Sequence, residues 1–319
     1  MNTVSVVIPS FQRIDRLSPL LQAWLDQEPD QVVIILDGPH VGYRERLGHL
    51  LDDSRVVVRE LPQNVGLALA RIEGLKLATQ DIVLIADDDV VPMPGLLDGH
   101  RGNHAAGKVD VVVGYMPVAV GASRSRDESA TRLYAREYEA ETHRWEADPG
   151  RILDGLWNGN VSISRSAYLA AEELLPSIDL RYNEDLDLGL RLKAANAVAI
   201  FDRTLEARHM HSRSFESFLG ESVSRGASVA RLRHRWGELP PQLENLVAPS
   251  PVSLAGVAVR IGSAVSEDAL KMLLARLYQI AGRVHAWKVQ DHAARLARRI
   301  LAYRAYRDSA KATSVDFAG

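Results

Sequence analysis

The sequence predicts an α/β protein: a mostly parallel β-sheet flanked by helices, with a helical extension at the C-terminal end. Three observations carry this expectation. Short, near-continuously apolar runs rich in β-branched residues alternate with helix-periodic segments through the first 115 residues, as strand–helix–strand units require. The runs lack the polar–apolar alternation of a sheet with one wet face, so both faces are covered. Beyond a proline-containing connector after Trp236, apolar residues recur at i, i+3, i+4, the mark of an amphipathic helix.

Taken in order, "VSVVI" (4–8), "VVIIL" (32–36), "VVV" (56–58), "DIVLI" (81–85) and "VDVVVGY" (109–115) read as strands. "RLSPLLQAWL", "YRERLGHLL" and "GLALARIEGLKLA" lie between them with helical spacing. Residues 120–155 are polar and charged, and predict a helix flanked by loops. Residues 157–236 return to mixed patterning. Leu270, Leu273, Leu274, Leu277, Ile280, Ala281, Val284 and Trp287 then predict one long helix, with a second after it. The expected division is a domain over 1–236, made of a 1–115 half and a 116–236 half, and a helical region over 237–319.

Composition narrows the function classes. With 46% hydrophobic and 25% charged residues, the chain of 319 residues can bury a large core and reads as a soluble globular protein. A net charge of −3 argues against the global basic field of a nucleic-acid binder. With 0 cysteines, disulfides, thiolate nucleophiles and zinc–cysteine sites are excluded. "MNTVSVVIPS" has no basic n-region and no long apolar stretch, so no secretory leader is expected and the expected location is cytoplasmic. The most apolar stretch, "LVAPSPVSLAGVAVRIGSAV", holds two prolines and Arg260, and is expected to pack on the protein rather than span a membrane.

Parallel sheets bind ligands at the carboxyl ends of their strands. "PSFQR" (Pro9, Ser10, Phe11 and Arg13 among them), Asp37-Gly38 and Asp87-Asp88-Asp89 all sit at such ends. Asp87 and Asp89 point to the same side if the backbone stays extended. A hard cation such as Mg²⁺ or Mn²⁺ takes carboxylate oxygens; the plain alternative is a solvated turn. No glycine and glutamate follow at EF-hand spacing. Asn64 is a good N-cap, and Gly66 permits close backbone approach. Arg71, on the helix that follows, would pair with Asp87, with a diphosphate, or in a surface salt bridge. Asp37 would accept hydrogen bonds from a base or ribose, or merely close a turn. Asn183, Glu184 and Asp185 precede a helix, where acidic residues serve as caps or hold a carboxylate base. His209 and His211 flank Met210, with one a metal ligand and the other positioning phosphate or supporting the first.

Together these stretches resemble the family-two inverting glycosyltransferases, which have the GT-A fold. The resemblance rests on "VSVVIPSFQR", "NVGLALARIEGLKLATQDIVLIADDDVVP", "GNVSISRSAYL", "NEDLDLGLRL" and "HMHSRSFESFL", in the family's order from residue 4 to about 230. It implies transfer of a sugar from a nucleotide diphospho-sugar, UDP-linked by family habit, to an acceptor hydroxyl, with Mn²⁺ or Mg²⁺ as cofactor. Carried over, Pro9, Ser10 and Asp37 line the nucleoside pocket. Asp87 and Asp89 form the D-x-D element, with Asp89 most directly on the metal. His209 adds a metal or phosphate contact, with His211 as fallback. Asp185, beside Glu184, is the catalytic base, and Gly159 and Asn160 lie near the sugar and acceptor. Two positions depart from the family: Leu36 precedes Asp37 where a second acidic residue is common, and Ile72 follows Arg71 where asparagine is usual.

The acceptor class stays open among glycan, lipid-linked and small-molecule hydroxyls. A sugar nucleotidyltransferase would start on a glycine-rich phosphate loop, and "IPSFQRIDRL" has no glycine. A non-catalytic carbohydrate-binding protein would be expected to lose the base or the aspartates. The C-terminal helices fall outside the resemblance. From Lys271 onward they carry ten Lys/Arg and three Asp. Packing on the domain or against a second copy is the preferred reading, and peripheral contact with the inner membrane face is the alternative.

Overall fold

All seven residues of Val4–Ser10 (β1) are buried, as the near-continuous apolar pattern predicts. The computed structural model describes residues 2–105 and 107–316, and the chain forms two units. The first comprises Met1–Ala119, Tyr138–Asp179 and Glu184–His211. After β1 come α1 (Ile14–Leu25), β2 (Gln31–Leu36), α2 (Tyr43–Leu47), β3 (Val56–Glu60), α3 (Leu67–Leu77) and β4 (Ile82–Ala86). Then follow β5 (Val90–Pro92), α4 (Leu96–Ala105), β6 (Val111–Tyr115), the part of α5 (Ser129–Ala147) from Tyr138 on, β7 (Asn160–Ser164), α6 (Arg165–Leu174), α7 (Glu184–Ala194) and β8 (Ala199–His209).

The eight strands run β3-β2-β1-β4-β7-β6-β8-β5. β1 pairs parallel with β2 and β4, and β2 with β3. β7 is antiparallel to β4 and β6. β8 does two jobs: Ala199–Asp202 pairs parallel with β6, and Ala207–His209 pairs antiparallel with β5. That handover brings the end of β8 beside the segment following Asp87–Asp89.

One buried polar chain lies within this unit. His100 and His104, from α4, each approach Ser162 Oγ at 2.8 Å, and His100 Nε2 donates to Asn160 Oδ1 at 3.0 Å. Burial drives the His100 pKa down to about 4, the hydrogen bond to Asn160 opposing it. The unfolded chain therefore binds an extra proton between about 6.5 and 4, so this group costs stability as pH falls through that window. In urea titrations the loss of stability between pH 7 and 4.5 is expected to be smaller for His100→Gln than for the wild type. Equal losses would contradict a neutral buried imidazole.

The second unit comprises Val120–Glu137, Leu180–Asn183 and Ser212–Gly319. Its helices beyond the start of α5 are α8 (Phe215–Trp236), α9 (Pro241–Val247), α10 (Leu254–Gly262), α11 (Glu267–Arg283) and α12 (Trp287–Asp316). Its core includes Leu133, Phe218, Leu270, Leu274, Tyr278, Ile300 and Leu301. Gly226 of α8 lies against the Ala302 backbone of α12, where any Cβ would collide. Arg298 pairs with Glu137, and Arg124 and Arg136 converge on Asp291.

The structure corrects one expectation here and refines another. The single helix expected through Trp287 ends at Arg283, because His285 takes a left-handed turn (φ 55°) and Trp287 opens α12. The expected apolar set splits into two faces: α11 buries Leu270, Leu274 and Ala281, with Tyr278, and leaves Leu273, Leu277, Ile280 and Val284 exposed. Within the proline-containing apolar stretch, Leu254–Gly262 form α10, nine residues long. Among the described residues no helix is long and apolar enough to cross a membrane.

Candidate active site

Three carboxylates follow β4 directly, and two arginines offset their repulsion. Arg13, in the loop after β1, donates from Nη1 to Asp88 Oδ1 at 2.7 Å and to Asp89 Oδ2 at 3.1 Å. Ser10 Oγ donates to Asp88 Oδ2 at 2.8 Å. Burial pushes the Asp88 carboxyl up, against the pull of Arg13 and Ser10. Asp88 is thus a buried anchor joining β1 to the acidic segment. Arg71, only 4% exposed on α3, bridges Asp87 Oδ1 and Glu184 Oε1, each at 3.0 Å. Burial alone would lower its pKa, yet Asp87 and Glu184 raise it. Of the three partners expected for Arg71, the observed one is Asp87, and the tie to Glu184 is additional.

Asp89 faces two imidazoles. His209 Nε2 lies 3.2 Å from Asp89 Oδ1, and His211 Nδ1 lies 4.0 Å from Oδ2. The sheet explains this approach. Val90 pairs with His209 across β5 and β8, and Met210 N donates to the Asp89 carbonyl at 2.7 Å. Burial would raise the Asp89 carboxyl, but the hydrogen bond and charge of His209, then Arg13 and His211, hold it at about 2. One ligand atom from each of Asp89, His209 and His211 lies within 4.8 Å of the others. A carboxylate and two imidazoles on one centre suit a divalent cation that accepts both oxygen and nitrogen. Asp87, expected as a fourth ligand, is turned to Arg71.

The expected base sits at the start of α7, just after Asn183, whose φ is 59°. Asp185 Oδ1 accepts from Leu186 N at 2.8 Å. Burial, then the neighbouring Glu184 carboxylate, pushes the Asp185 carboxyl up to about 7 against the pull of Arg71. A carboxyl tuned to neutrality has the protonation behaviour of a general base.

Other expected residues lie around this centre in differing states. Asp37, at the end of β2, accepts from Asn64 Nδ2 (3.1 Å), Val65 N (2.7 Å) and Gly66 N (2.9 Å), so its carboxylate clamps the loop before α3. Gly66, with φ 91°, is the N-cap of that helix, and Asn64, expected there, instead holds Asp37. Pro9 is buried within β1, in register with Ile35. Phe11 is 43% exposed and packs edge-on against His40, with ring centroids 6.4 Å apart. Asn160, expected beside the sugar, turns its side chain into the core: Nδ2 donates to Leu205 O at 2.9 Å and Tyr115 O at 3.2 Å, and Oδ1 accepts from His100.

His40 was missed by sequence reasoning. Its Nδ1 donates to Gly38 O at 2.7 Å, and its Nε2 accepts from Gln12 N at 2.8 Å, locking the β1 loop to the end of β2. Its place just after Asp37-Gly38 was the available signal.

Gly159 has φ 113°, and a Cβ there would meet Met116 Sδ at 2.7 Å and Asp87 Oδ2 at 3.1 Å. Gly159→Ala is expected to cost about 1–3 kcal/mol from backbone strain, plus displacement of Asp87. Urea unfolding followed by circular dichroism measures it, and an unchanged midpoint would contradict the close approach.

With this geometry in view, residues 5–165, half of the chain, match the family model described as glycosyl transferase family 2. A glucosyl-dolichyl phosphate glucuronosyltransferase from Haloferax volcanii is 30% identical over 108 residues, 31% of this chain and 34% of its own length. The chain thus spans about a third of that curated relative. A mannosyltransferase from Pyrobaculum calidifontis, solved with GDP-Man and Mn²⁺, is similar with a TM-score of 0.57 at 16% identity, covering 93% of this chain and 86% of that one. At that identity the likeness is one of fold: a GT-A type α/β architecture.

Proposed function

The chain belongs to glycosyl transferase family 2, and from that premise we propose that it transfers a sugar from a nucleotide diphospho-sugar to an acceptor hydroxyl with inversion. The observation that carries this is the convergence of two groups: Asp89, His209 and His211 around one cation-sized centre, and Asp87 and Glu184 tied by Arg71 next to Asp185. A bound divalent ion would supply positive charge toward a departing diphosphate. The two imidazoles favour Mn²⁺ over Mg²⁺, whose preference is for oxygen alone.

The protein's own groups do the rest. Asp185 accepts the proton of the acceptor hydroxyl as that oxygen attacks the anomeric carbon. Arg71 keeps Asp87 and the Glu184–Asp185 turn in fixed relation, so metal-side and base-side carboxylates are held together. Phe11, exposed against His40, offers an apolar surface to the donor's base. One displacement from the face opposite the leaving group inverts the anomeric centre. The similar mannosyltransferase carries GDP-Man, and uracil remains the expected donor base for this chain. The named substrate of the Haloferax relative is a lipid-linked sugar, which makes a lipid-linked acceptor a natural one to test.

A thermal-shift panel of UDP-, GDP- and dTDP-sugars with and without Mn²⁺ tests the proposal. At ~100 Kd a true donor stabilises by about 2.7 kcal/mol, and the shift should require Mn²⁺. If no nucleotide sugar shifts the melting temperature in Mn²⁺, donor binding is refuted.

A further inference from the structure

Of the large apolar side chains exposed among the described residues, most of those beyond residue 250 lie on or beside α10 and α11. On α10 they are Leu254 (91% exposed), Val257 and Ile261 (65%). On α11 they are Leu273 (65%), Leu277 and Ile280, continuing to Val284 (67%) just past its end. The spacing 273, 277, 280, 284 is one helical face. It is distinct from the buried face of Leu270, Leu274, Tyr278 and Ala281 that makes the core.

An exposed apolar face of this length marks an interaction surface, and charge identifies its partner. α10 and α11 carry four Lys/Arg (Arg260, Lys271, Arg276 and Arg283) against two acidic residues, Glu267 and Asp268. Arg276 and Arg283 are exposed and stand three residues beyond Leu273 and Ile280, along one flank of the stripe. A second copy would set two positive faces against each other. An anionic lipid surface instead accepts both the apolar stripe and its basic flank. We propose that α10 and α11 dock this protein peripherally on a bilayer carrying anionic headgroups. The helices lie in the interface, since none is fit to cross it. This does not depend on the catalytic reading.

The test is co-sedimentation of the full chain with two vesicle types: phosphatidylcholine alone, and phosphatidylcholine with about a third phosphatidylglycerol. The wild type is expected to bind the anionic vesicles at least about 10-fold more tightly and to release at high salt. Leu277→Glu with Ile280→Glu should remove binding. Arg276→Glu with Arg283→Glu, which leaves the apolar face intact, should weaken it at least about 10-fold. All these positions are exposed, so circular dichroism should report unchanged folding. Failure of the wild type to bind either vesicle overturns the proposal, as does equal binding by the Leu277/Ile280 variant. A dimer by sedimentation equilibrium that this variant dissociates, without vesicle binding, would assign the face to a second copy and also overturn it.

Discussion

Asp185→Asn is expected to lower turnover by about 10²–10⁴-fold, the range of a lost general base, while leaving the KM for the nucleotide sugar within about 3-fold. The same change should stabilise the protein at alkaline pH. In the folded state Asp185 keeps its proton up to about 7, against 3.8 for an ordinary aspartate. Between those values the unfolded chain binds fewer protons, so this group costs stability as pH rises through the window. The amide never ionises and escapes that cost. The variant's melting temperature should therefore exceed the wild type's by about 3 °C or more at pH 8, with the advantage gone at pH 4. Wild-type turnover should rise with pH and level off above about 7, where the carboxylate is free to accept a proton. Unchanged turnover in the variant would remove Asp185 from the reaction.

Asp89→Asn is the second large effect. It exchanges a carboxylate held at about 2 by His209, Arg13 and His211 for a neutral amide of the same shape. Turnover with saturating Mn²⁺ should fall by about 10²–10³-fold, the scale of a lost electrostatic contribution to the transition state. His209→Ala should fall in the same direction, whereas Asp88→Asn acts through folding, because Asp88 anchors Ser10 and Arg13. Activity assays across a Mn²⁺ titration separate the two. The Asp89 variant should show little response to Mn²⁺ at any concentration, and the Asp88 variant should lose stability while keeping its response. A wild-type Mn²⁺ response in Asp89→Asn would contradict the assignment.

What could be read from residues alone follows the range over which each signal acts. β1, β2 and β4 were legible because strands covered on both faces leave near-continuous apolar runs; β3 shows the same short run at the sheet edge, where Val57 is exposed. β8 was not, since Asp202, Arg203, Glu206 and Arg208 interrupt it and it serves two different neighbours. The three residues of β5 are too short for any period to register. Asp89 was legible as a candidate metal ligand from its neighbours in sequence, and His209 from its partner two residues on; the structure brings both together with His211. The partners of Asp37 were not legible, because the donors on its carboxylate come from residues 64–66, a separation no local pattern encodes. Asn160 was expected near the sugar and acceptor from the resemblance, and β7 directs its amide inward to His100. Leu273 and Ile280 fit a packing period equally well whether their partner is the core or something outside the chain. Periodicity fixes a face, and only the fold decides what that face meets.

The most direct measurement is calorimetric titration of UDP and GDP into the wild type and Asp89→Asn, with and without Mn²⁺. The doubly charged ion should tighten one nucleoside diphosphate at least about 10-fold in the wild type and leave the variant's affinity unchanged. Equal affinities with and without metal in the wild type would mean that Asp89, His209 and His211 hold no ion for a pyrophosphate.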